Sequence, residues 1–271
     1  MPDVMKYEGY FFDLDGTVFL GERLLPGVQE TIGLLRNAGK QVRFLTNTTI
    51  RTRKECQARL WRLGLTTELH EIVTAAYVAA VYMSELEPKP IVLVVGEPAF
   101  AEELRECEVG MTELPEEATH VLVGMDMHFD YVRLHRAMKA VRLGAKLVAA
   151  NPDPNCPVPG DVIPDTWSMV KAIEAASCVE PSAVIGKPSS FYAAKVLEWS
   201  GLSRERCLMI GDRLETDILF GEANGFRTAL VLTGVASEED AVRSSIQADY
   251  VWRSLEQFVK LARADDGARP N

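Results

Sequence analysis

The sequence has few cysteines and no concentrated positive charge. Its 271 residues include five cysteines, which are widely scattered and form no Cys-x-x-Cys pair. This pattern argues against a disulfide framework and against a structural zinc site. The net charge is -10 at pH 7, and the lysines and arginines form no block. Electrostatic attraction to nucleic acid or to an anionic membrane is therefore unfavourable, and a small-molecule ligand is the better expectation.

Long apolar runs are also missing. No stretch of about 18 uninterrupted apolar residues occurs, and the opening residues MPDVMKYEGY carry charges where a signal peptide would be apolar. We therefore expect a cytoplasmic protein with no membrane partner. With 47% hydrophobic residues the chain can still bury a large core, and its length suggests two domains.

Several common catalytic motifs are missing from the chain. No Gly-x-Gly-x-x-Gly follows a predicted strand, and Pro181 stands where a Walker motif needs the leading glycine before its Gly-Lys pair. The sequence HEIVT ends in Thr74 where a zinc-protease helix needs a second histidine, and there is no Gly-x-Ser-x-Gly elbow. Nucleotide-binding, zinc-protease and serine-hydrolase classes are therefore not indicated.

Short apolar runs alternate with helical patterns along the chain, which predicts βα units and a largely parallel sheet. GYFFDL and VRFLTN are the first two predicted strands, and a segment of helical periodicity follows each. The later runs SAVIGK, CLMIGD, ALVLTG and DYVWRS repeat the pattern, and we expect all of them in one open sheet. The predicted fold class is α/β, with a Rossmann-like parallel core sheet.

The middle of the chain predicts a smaller α/β domain inserted into the first. PIVLVVGEPAFAEELRE and THVLVGMDMHFDYVRLHRAMKAVRLGAK each give an apolar strand, a glycine, an acidic residue and then a helix. Polar, proline-bearing linkers mark the edges of this segment. The expected division is residues 1–83 for the first part of the core, 84–180 for the insert and 181–271 for the second part of the core. The proline-dense segment NPDPNCPVPGDVIP is expected to be an irregular loop.

Reactive polar side chains stand at the ends of four predicted strands. Ligands of open parallel sheets bind outside the carboxyl ends of the strands. The residues at these ends are Asp13 and Asp15 in FFDLDGT, Thr46 and Asn47 in FLTN, Lys187 in VIGKP, and Asp212 in MIGD with Asp217 shortly after it. Each element alone is usually a turn or a strand exit, but all four in this order form a specific signal.

A phosphoryl group attacked by Asp13 would explain why so much negative charge is gathered. Two unit charges about 4 Å apart repel by roughly 4 kcal/mol at an effective dielectric constant near 20, and a phosphate dianion doubles this repulsion. Lys187 supplies one compensating cation, and a divalent ion supplies the rest. Mg²⁺ prefers carboxylate, water and phosphate oxygens, so Asp13, Asp212 and the carbonyl of Asp15 are its expected ligands.

The remaining polar groups have expected roles around the phosphate. Thr46 and Asn47 would donate hydrogen bonds to its oxygens. Asp15 would protonate the leaving oxygen and then activate the attacking water, for which its pKa must lie well above about 3.9. Gly16 lets the chain turn sharply without a Cβ clash.

The order DLDGT, TN, GKP and GDRLETD resembles the haloacid dehalogenase superfamily of phosphohydrolases. An insert between TN and GKP is similar to the class IIA capped branch, which includes para-nitrophenyl, sugar-phosphate and phosphoglycolate-type phosphatases. The resemblance covers nearly the whole chain. The roles that it implies are nucleophile for Asp13, acid and base for Asp15, phosphate binding for Thr46 and Lys187, magnesium binding for Asp212 and support of the metal site for Asp217.

Some residues keep two interpretations. The capped branch usually has a second asparagine after TN, and Thr48 stands there in this chain, so this residue is a candidate substrate contact that departs from the pattern. A second set has side chains that fit substrate contacts as well as plain turns or ion pairs. This set is Asn151, Asp153, Asp126, His128 and Arg213.

Together these features predict a Mg²⁺-dependent phosphatase of small phosphorylated metabolites that works through an aspartyl-phosphate. The insert is expected to act as a cap that closes over the site and selects the substrate. A phosphotransferase or phosphomutase is the alternative enzyme, and a non-catalytic phosphometabolite-binding protein is the alternative outside enzymes. The resemblance also implies a possible homodimer through the cap, whereas the physiological substrate cannot be derived from the sequence.

Overall fold

The computed structural model of the chain describes residues 4–158 and 160–266. The strands in chain order are β1 (Gly9–Phe12), β2 (Phe19–Leu20), β3 (Arg23–Leu24), β4 (Gln41–Thr46), β5 (Ile72–Thr74), β6 (Ile91–Val95), β7 (Gly110–Met111), β8 (His120–Val123), β9 (Lys146–Ala149), β10 (Asn155–Val158), β11 (Asp161–Pro164), β12 (Ala183–Val184), β13 (Cys207–Gly211), β14 (Arg227–Val231) and β15 (Tyr250–Trp252). The α-helices are α1 (Val28–Asn37), α2 (Arg53–Arg62), α3 (Ala75–Glu85), α4 (Pro98–Glu106), α5 (Tyr131–Arg142), α6 (Thr166–Ser177), α7 (Ser190–Ser200), α8 (Leu219–Asn224), α9 (Glu238–Arg243) and α10 (Leu255–Asp266).

The described chain divides into two compact units. The first, here called the core unit, contains the described residues up to Thr46, Gln57–Val73 and the described residues from Ala193 onward. The second, here called the inserted unit, contains Asn47–Cys56 and Thr74–Tyr192. The sequence-based domain bounds, with an insert at 84–180, stay a prediction.

The core unit is built on a six-stranded sheet within the described residues, in the order β15-β14-β13-β1-β4-β5. β1 pairs in parallel with β13 on one side and with β4 on the other. All four residues of β1 are buried, which is the expected pattern for a central strand of a parallel sheet. In this register Phe12, the last residue of β1, lies between Ile210 and Phe44, so the three strands end within two residues of one another.

The predicted helices of the core unit are present. Val28, Ile32 and Leu35 of α1 are buried, as their helical spacing predicts. Gly39 follows the end of α1 and Gly201 follows the end of α7, both with positive φ, which is the conformation that commonly ends a helix.

The inserted unit contains a five-stranded parallel sheet within the described residues, in the order β12-β9-β8-β6-β7. Both predicted repeats of strand and helix are present, as β6 with α4 and β8 with α5. One face of the sheet packs on α5 and α6 through a buried apolar cluster that includes Leu93, Val121, Val141, Leu147 and Ile173. The α/β fold class of the chain is thereby confirmed.

The expectation that SAVIGK belongs to the core sheet was wrong. Its strand is only two residues long, and Ala183 and Val184 pair with Val148 and Ala149 of β9 in the sheet of the inserted unit. A short apolar run predicts a strand but carries no information about which sheet edge it joins. Lys187 therefore follows a strand of the inserted unit.

The expectation of an irregular loop at NPDPNCPVPGDVIP was also wrong over most of its length. β10 and β11 form a two-stranded antiparallel hairpin in which Pro157 pairs with Val162 and Pro164 with Asn155. Each strand of an isolated hairpin has an open edge, so a proline without an N–H is tolerated there. Pro159, in the middle of the predicted loop, lies outside the described residues.

Among the described helices, none combines the length and the apolar character that crossing a bilayer requires.

Candidate active site

The site begins where β1 ends, at Asp13. The backbone N–H of Asp13 donates a hydrogen bond to the carbonyl of Ile210 over 2.9 Å, so the pairing with β13 continues one residue beyond β1. β13 itself ends at Gly211, and Asp212 follows directly. The parallel register of two buried apolar strands therefore places acidic residues side by side at one edge of the sheet.

Three carboxylates meet at this edge. Oxygen atoms of Asp13, Asp212 and Asp217 all lie within 4.8 Å of one another. Asp212 and Asp217 are buried, whereas Asp13 is half-buried. Asp217 reaches the cluster because the chain after β13 forms a π-helical turn, Leu214–Ile218, before α8 begins. Such turns are rare and occur often at functional sites.

Backbone N–H groups hold the two buried carboxylates in place. The N–H of Val235 donates to Oδ2 of Asp212 over 2.7 Å, and the N–H of Arg213 donates to Oδ2 of Asp217 over 3.2 Å. These donors fix the direction of each carboxylate and carry no net charge themselves.

Glycines clear the space around Asp212. Gly16 has φ +84°, and a Cβ atom at this position would lie 2.4 Å from Oδ2 of Asp212. A Cβ at Gly234 would lie 1.9 Å from the same oxygen. The hydroxyl of Thr233 donates to the carbonyl of Gly16 over 2.6 Å and joins these two segments. Only glycine fits at both positions, which the sequence suggests for Gly16 but not for Gly234.

The donor set of the cluster fits a hard divalent cation. Three carboxylates supply only oxygen atoms, which Mg²⁺ and Ca²⁺ prefer, and their spacing allows one ion to contact all three residues. The structure thus brings together Asp13, Asp212 and Asp217 of the predicted metal ligands. For Asp15 the sequence predicted a carbonyl ligand, and its side chain is 58% exposed.

Arg59 is a neighbour of Asp15 that the sequence did not reveal. Its Nη1 lies 3.8 Å from Oδ1 of Asp15, and its guanidinium lies over the ring of Phe19, 4.0 Å from the centroid. Its Nη2 also donates to the carbonyl of Gly21 over 2.9 Å. Arg59 lies in the last turn of α2, where no local motif distinguishes it from the other arginines of that helix.

Thr46, the predicted phosphate-binding threonine, is buried at the end of β4 in the core unit. The other residues predicted to bind the phosphate, Asn47, Thr48 and Lys187, belong to the inserted unit. Lys187 is fully buried. The carbonyl of Thr48 accepts a hydrogen bond from the N–H of Ala76 over 3.4 Å, which ties the segment after β4 to the start of α3.

Asn47 is bound to Lys187 through the main chain of the lysine. Oδ1 of Asn47 accepts from the N–H of Lys187 over 2.8 Å, and Nδ2 donates to the carbonyl of Lys187 over 3.0 Å. Nδ2 also donates to Oδ2 of Asp153 over 3.1 Å. Asn151 donates to the carbonyl of Asn47 over 2.7 Å, so both polar residues around Pro152 join this network.

A second group of potential metal ligands lies in the inserted unit, at the ends of β6 and β8. Ligand atoms of Glu97, Asp126 and His128 lie within 4.8 Å of one another. Asp126 is buried and forms a close ion pair with the guanidinium of Arg133, and its Oδ1 also accepts from the N–H of His128 over 2.9 Å. Oε1 of Glu97 lies 3.3 Å from Nδ1 of His128 and accepts from the N–H of Met127 over 2.9 Å.

Arg213, the remaining residue with two interpretations, follows Asp212 in the core unit. Its backbone N–H donates to Asp217 as described above, and the residue lines an open pocket together with Glu215, Asp240 and Arg243. Its role toward a substrate stays a prediction.

Comparison with known proteins agrees with this geometry. A family model described as haloacid dehalogenase-like hydrolase matches residues 10–110, and a second one, HAD-hydrolase-like, matches residues 184–258. The sugar-phosphatase AraL of Bacillus subtilis is 34% identical over 94% of this chain and 93% of its own length.

Solved structures give the same result. The crystal structure of the 4-nitrophenylphosphatase from Thermotoga maritima has a TM-score of 0.91 at 30% identity and covers 95% of this chain and 98% of its own. A glycerol phosphate phosphatase from Mycobacterium tuberculosis, solved in complex with magnesium, has a TM-score of 0.87 at 32% identity and covers 94% of this chain and 78% of its own.

The α/β core with acidic residues at the ends of its strands, together with these relatives, defines a phosphatase-type hydrolase. The chain belongs to the haloacid dehalogenase-like hydrolase family. The resemblance in the order of its motifs is thereby confirmed, as is the prediction that the chain is an enzyme of the phosphatase class.

Proposed function

We propose that the protein is a Mg²⁺-dependent phosphatase that hydrolyses small phosphorylated metabolites through an aspartyl-phosphate on Asp13. The observation that carries the proposal is the cluster of Asp13, Asp212 and Asp217 at the ends of β1 and β13. The relatives support the substrate class, because they include a sugar phosphatase, a glycerol phosphate phosphatase and a 4-nitrophenylphosphatase.

Asp13 attacks phosphorus in the first step. Its carboxylate oxygen forms the new bond while the bond from phosphorus to the ester oxygen breaks, and Asp15 donates its proton to the leaving alkoxide. The exposed position of the Asp15 side chain leaves room for a leaving group of variable structure. The second step reverses the proton transfer.

In that second step Asp15, now ionised, removes a proton from a water molecule as the water attacks the aspartyl-phosphate. The bond between phosphorus and Asp13 breaks, and inorganic phosphate and the free carboxylate are formed. Microscopic reversibility requires the same group to serve as acid and then as base, so one aspartate suffices for both steps.

The other groups of the site would bind the phosphate and neutralise its negative charge. Asp13, Asp212 and Asp217 would hold the divalent ion, which would neutralise negative charge on the phosphate when it is bound. In the family pattern Thr46 and Lys187 bind the phosphate oxygens, Thr46 as a hydrogen-bond donor and Lys187 as a cation. A cytoplasmic location, a homodimer through the inserted unit and cap closure also stay predictions.

The test of this function is hydrolysis of para-nitrophenyl phosphate and of a panel of sugar and polyol phosphates with added Mg²⁺. Asp13→Asn removes the nucleophile and keeps the size of the side chain, so we expect a loss of kcat of roughly 10³-fold or more. Circular dichroism and the melting temperature show whether the fold is kept.

Asp130→Asn is the matched control. The Asp130 side chain caps α5 by accepting from the N–H of Arg133, and asparagine caps helices equally well. This variant should therefore keep the wild-type rate. A rate for Asp13→Asn within tenfold of wild type would remove Asp13 as the nucleophile and with it the proposed mechanism.

A further inference from the structure

Asn47 uses its side chain within the protein. Its two Nδ2 hydrogens go to the carbonyl of Lys187 and to Oδ2 of Asp153, and its Oδ1 accepts from the N–H of Lys187. An asparagine side chain has two donor hydrogens and one carbonyl oxygen. Both donors and the acceptor are therefore engaged, which leaves no N–H of this side chain for a phosphate oxygen.

All three contacts require the same orientation of the Asn47 side-chain amide. The carbonyl of Lys187 and the carboxylate of Asp153 are both acceptors, so the amide nitrogen must face them. The N–H of Lys187 is a donor, so the amide oxygen must face it. Flipping the amide would set acceptor against acceptor and donor against donor at all three contacts.

A second layer of contacts fixes Asn47 itself. Asn151 is fully buried, and it donates to the carbonyl of Asn47 over 2.7 Å while its Oδ1 accepts from the N–H of Asp153 over 3.0 Å. A Cβ at Gly186 would lie 2.8 Å from Oδ1 of Asn47 and 2.7 Å from the carbonyl of Ala150. The segment that carries Lys187 thus approaches Asn47 as closely as a glycine allows.

We propose that Asn47 is a positioning residue that fixes the main chain of Lys187, with Asp153 orienting its side-chain amide and Asn151 holding its main chain. This inference rests on the proposed function, in which the ammonium of Lys187 binds the phosphate. A lysine carries its charge on a flexible four-carbon stem, so a fixed main chain reduces the number of positions that the ammonium can reach. The sequence-based expectation for Asn47 was instead a direct hydrogen bond to the phosphate.

A double-mutant cycle separates the two roles. The variants are Asn47→Ala, Lys187→Ala and the combination, each measured as kcat/KM for para-nitrophenyl phosphate. If Asn47 acts through Lys187, Asn47→Ala should lower kcat/KM by about 10- to 50-fold in the wild type but by less than about threefold once Lys187 is gone.

Asn47→Asp is a second variant of the same size, which keeps the cycle informative if the alanine variant folds poorly. An aspartate at this position would face the Asp153 carboxylate and the Lys187 carbonyl with acceptors only, so we expect a loss of similar size. Adding Asp153→Asn to Asn47→Asp restores a donor between the two side chains and should recover at least threefold of kcat/KM. A merely structural role predicts no such rescue at equal melting temperature.

Asn224→Ala is the matched control, because it removes another buried asparagine amide, whose Nδ2 donates to the carbonyl of Phe220 over 2.8 Å. It should keep wild-type kcat/KM even where its melting temperature falls. Losses that multiply in the double variant would overturn the positioning role and favour direct contact with the substrate. Wild-type activity of Lys187→Ala would instead remove Lys187 from the proposed function, a failure distinguishable from the first.

Discussion

Two groups of potential metal ligands in this protein occupy similar positions after strands but differ in what surrounds them. The core cluster is Asp13, Asp212 and Asp217, and the insert cluster is Glu97, Asp126 and His128. Both stand after buried parallel strands, and both bring three potential metal ligands within 4.8 Å. Spacing alone would therefore rank them equally as metal sites.

The two clusters differ in the groups that contact their carboxylates. In the core cluster, backbone N–H groups bind Asp212 and Asp217, and glycines stand where side chains would crowd Asp212. In the insert cluster, a guanidinium pairs with Asp126. A cation beside a carboxylate cancels much of its charge and so lowers its affinity for a metal ion. The guanidinium beside Asp126 therefore makes the insert cluster a weaker candidate for a metal site than its spacing alone suggests.

The largest effect that tests this comparison is the response to Mg²⁺. A chelator should reduce hydrolysis of para-nitrophenyl phosphate to background. In the absence of substrate, Mg²⁺ at 100 times its Kd should stabilise the fold by about 2.7 kcal/mol, seen as a higher melting temperature. Asp212→Asn should lose both responses, because the ion would lose a charged oxygen ligand.

Asp126→Asn in the insert cluster is the paired variant for that experiment. It should keep the Mg²⁺ response of the wild type, because this aspartate already has a cation beside it. A Mg²⁺ response lost equally in Asp126→Asn and Asp212→Asn would contradict the distinction between the clusters. Undiminished activity in chelator would contradict the metal site itself.

An intermediate effect is expected when the insert cluster loses its cation. Arg133→Met keeps the length of the side chain and leaves the buried Asp126 without the guanidinium. Removing one partner of a buried pair costs roughly 3–5 kcal/mol, and the 36% exposure of Arg133 reduces this to about 1–3 kcal/mol of unfolding free energy. Adding Asp126→Asn should recover part of the loss, measured by denaturant unfolding.

Arg136→Met on the same helix provides the comparison for Arg133. Its partner Glu113 is 80% exposed, and such a pair contributes only about 0–1 kcal/mol. Equal destabilisation by the two arginine variants would show that Arg133 does not neutralise a buried charge.

The sequence predicted the parts of the site that depend on local order. Asp13 and Asp212 follow apolar strands, and the alternation of strands and helices places parallel strands beside each other, so their proximity follows from topology. Gly16 was recognised because a sharp turn after DLD needs it. These features can be predicted because each one depends only on a strand and on the residue that directly follows it in the sequence.

The sequence could not predict contacts between distant segments. Arg59 comes from α2 and Gly234 from the loop after β14, and neither has a local pattern that links it to Asp15 or Asp212. The two residues of β12 joined the other sheet because hydrogen bonding to β9 decided the edge, which an apolar run does not encode. The proline-rich hairpin was missed because composition favours a loop, while an open-edged hairpin tolerates proline.

The smallest expected effect concerns a buried histidine of the inserted unit, which is another test of how this unit handles charge. Burial, and next the ammonium of Lys146, lower the pKa of His120 below its ordinary value of 6.5. In the unfolded chain the histidine binds its proton near pH 6.5, whereas in the fold it resists protonation. The unfolded state therefore binds more protons, and His120 contributes stability that is present above pH 6.5 and is lost as the pH falls toward the lowered pKa.

His120→Gln keeps a polar group near Thr119, whose hydroxyl lies 3.0 Å from Nδ1 of the histidine, and removes the titration. Between pH 7.5 and pH 5.5 the melting temperature of the wild type should fall further than that of the variant by about 1 °C. A larger fall in the variant would mean that His120 carries its charge inside the fold, and that the inserted unit does not exclude uncompensated cations from its sheet.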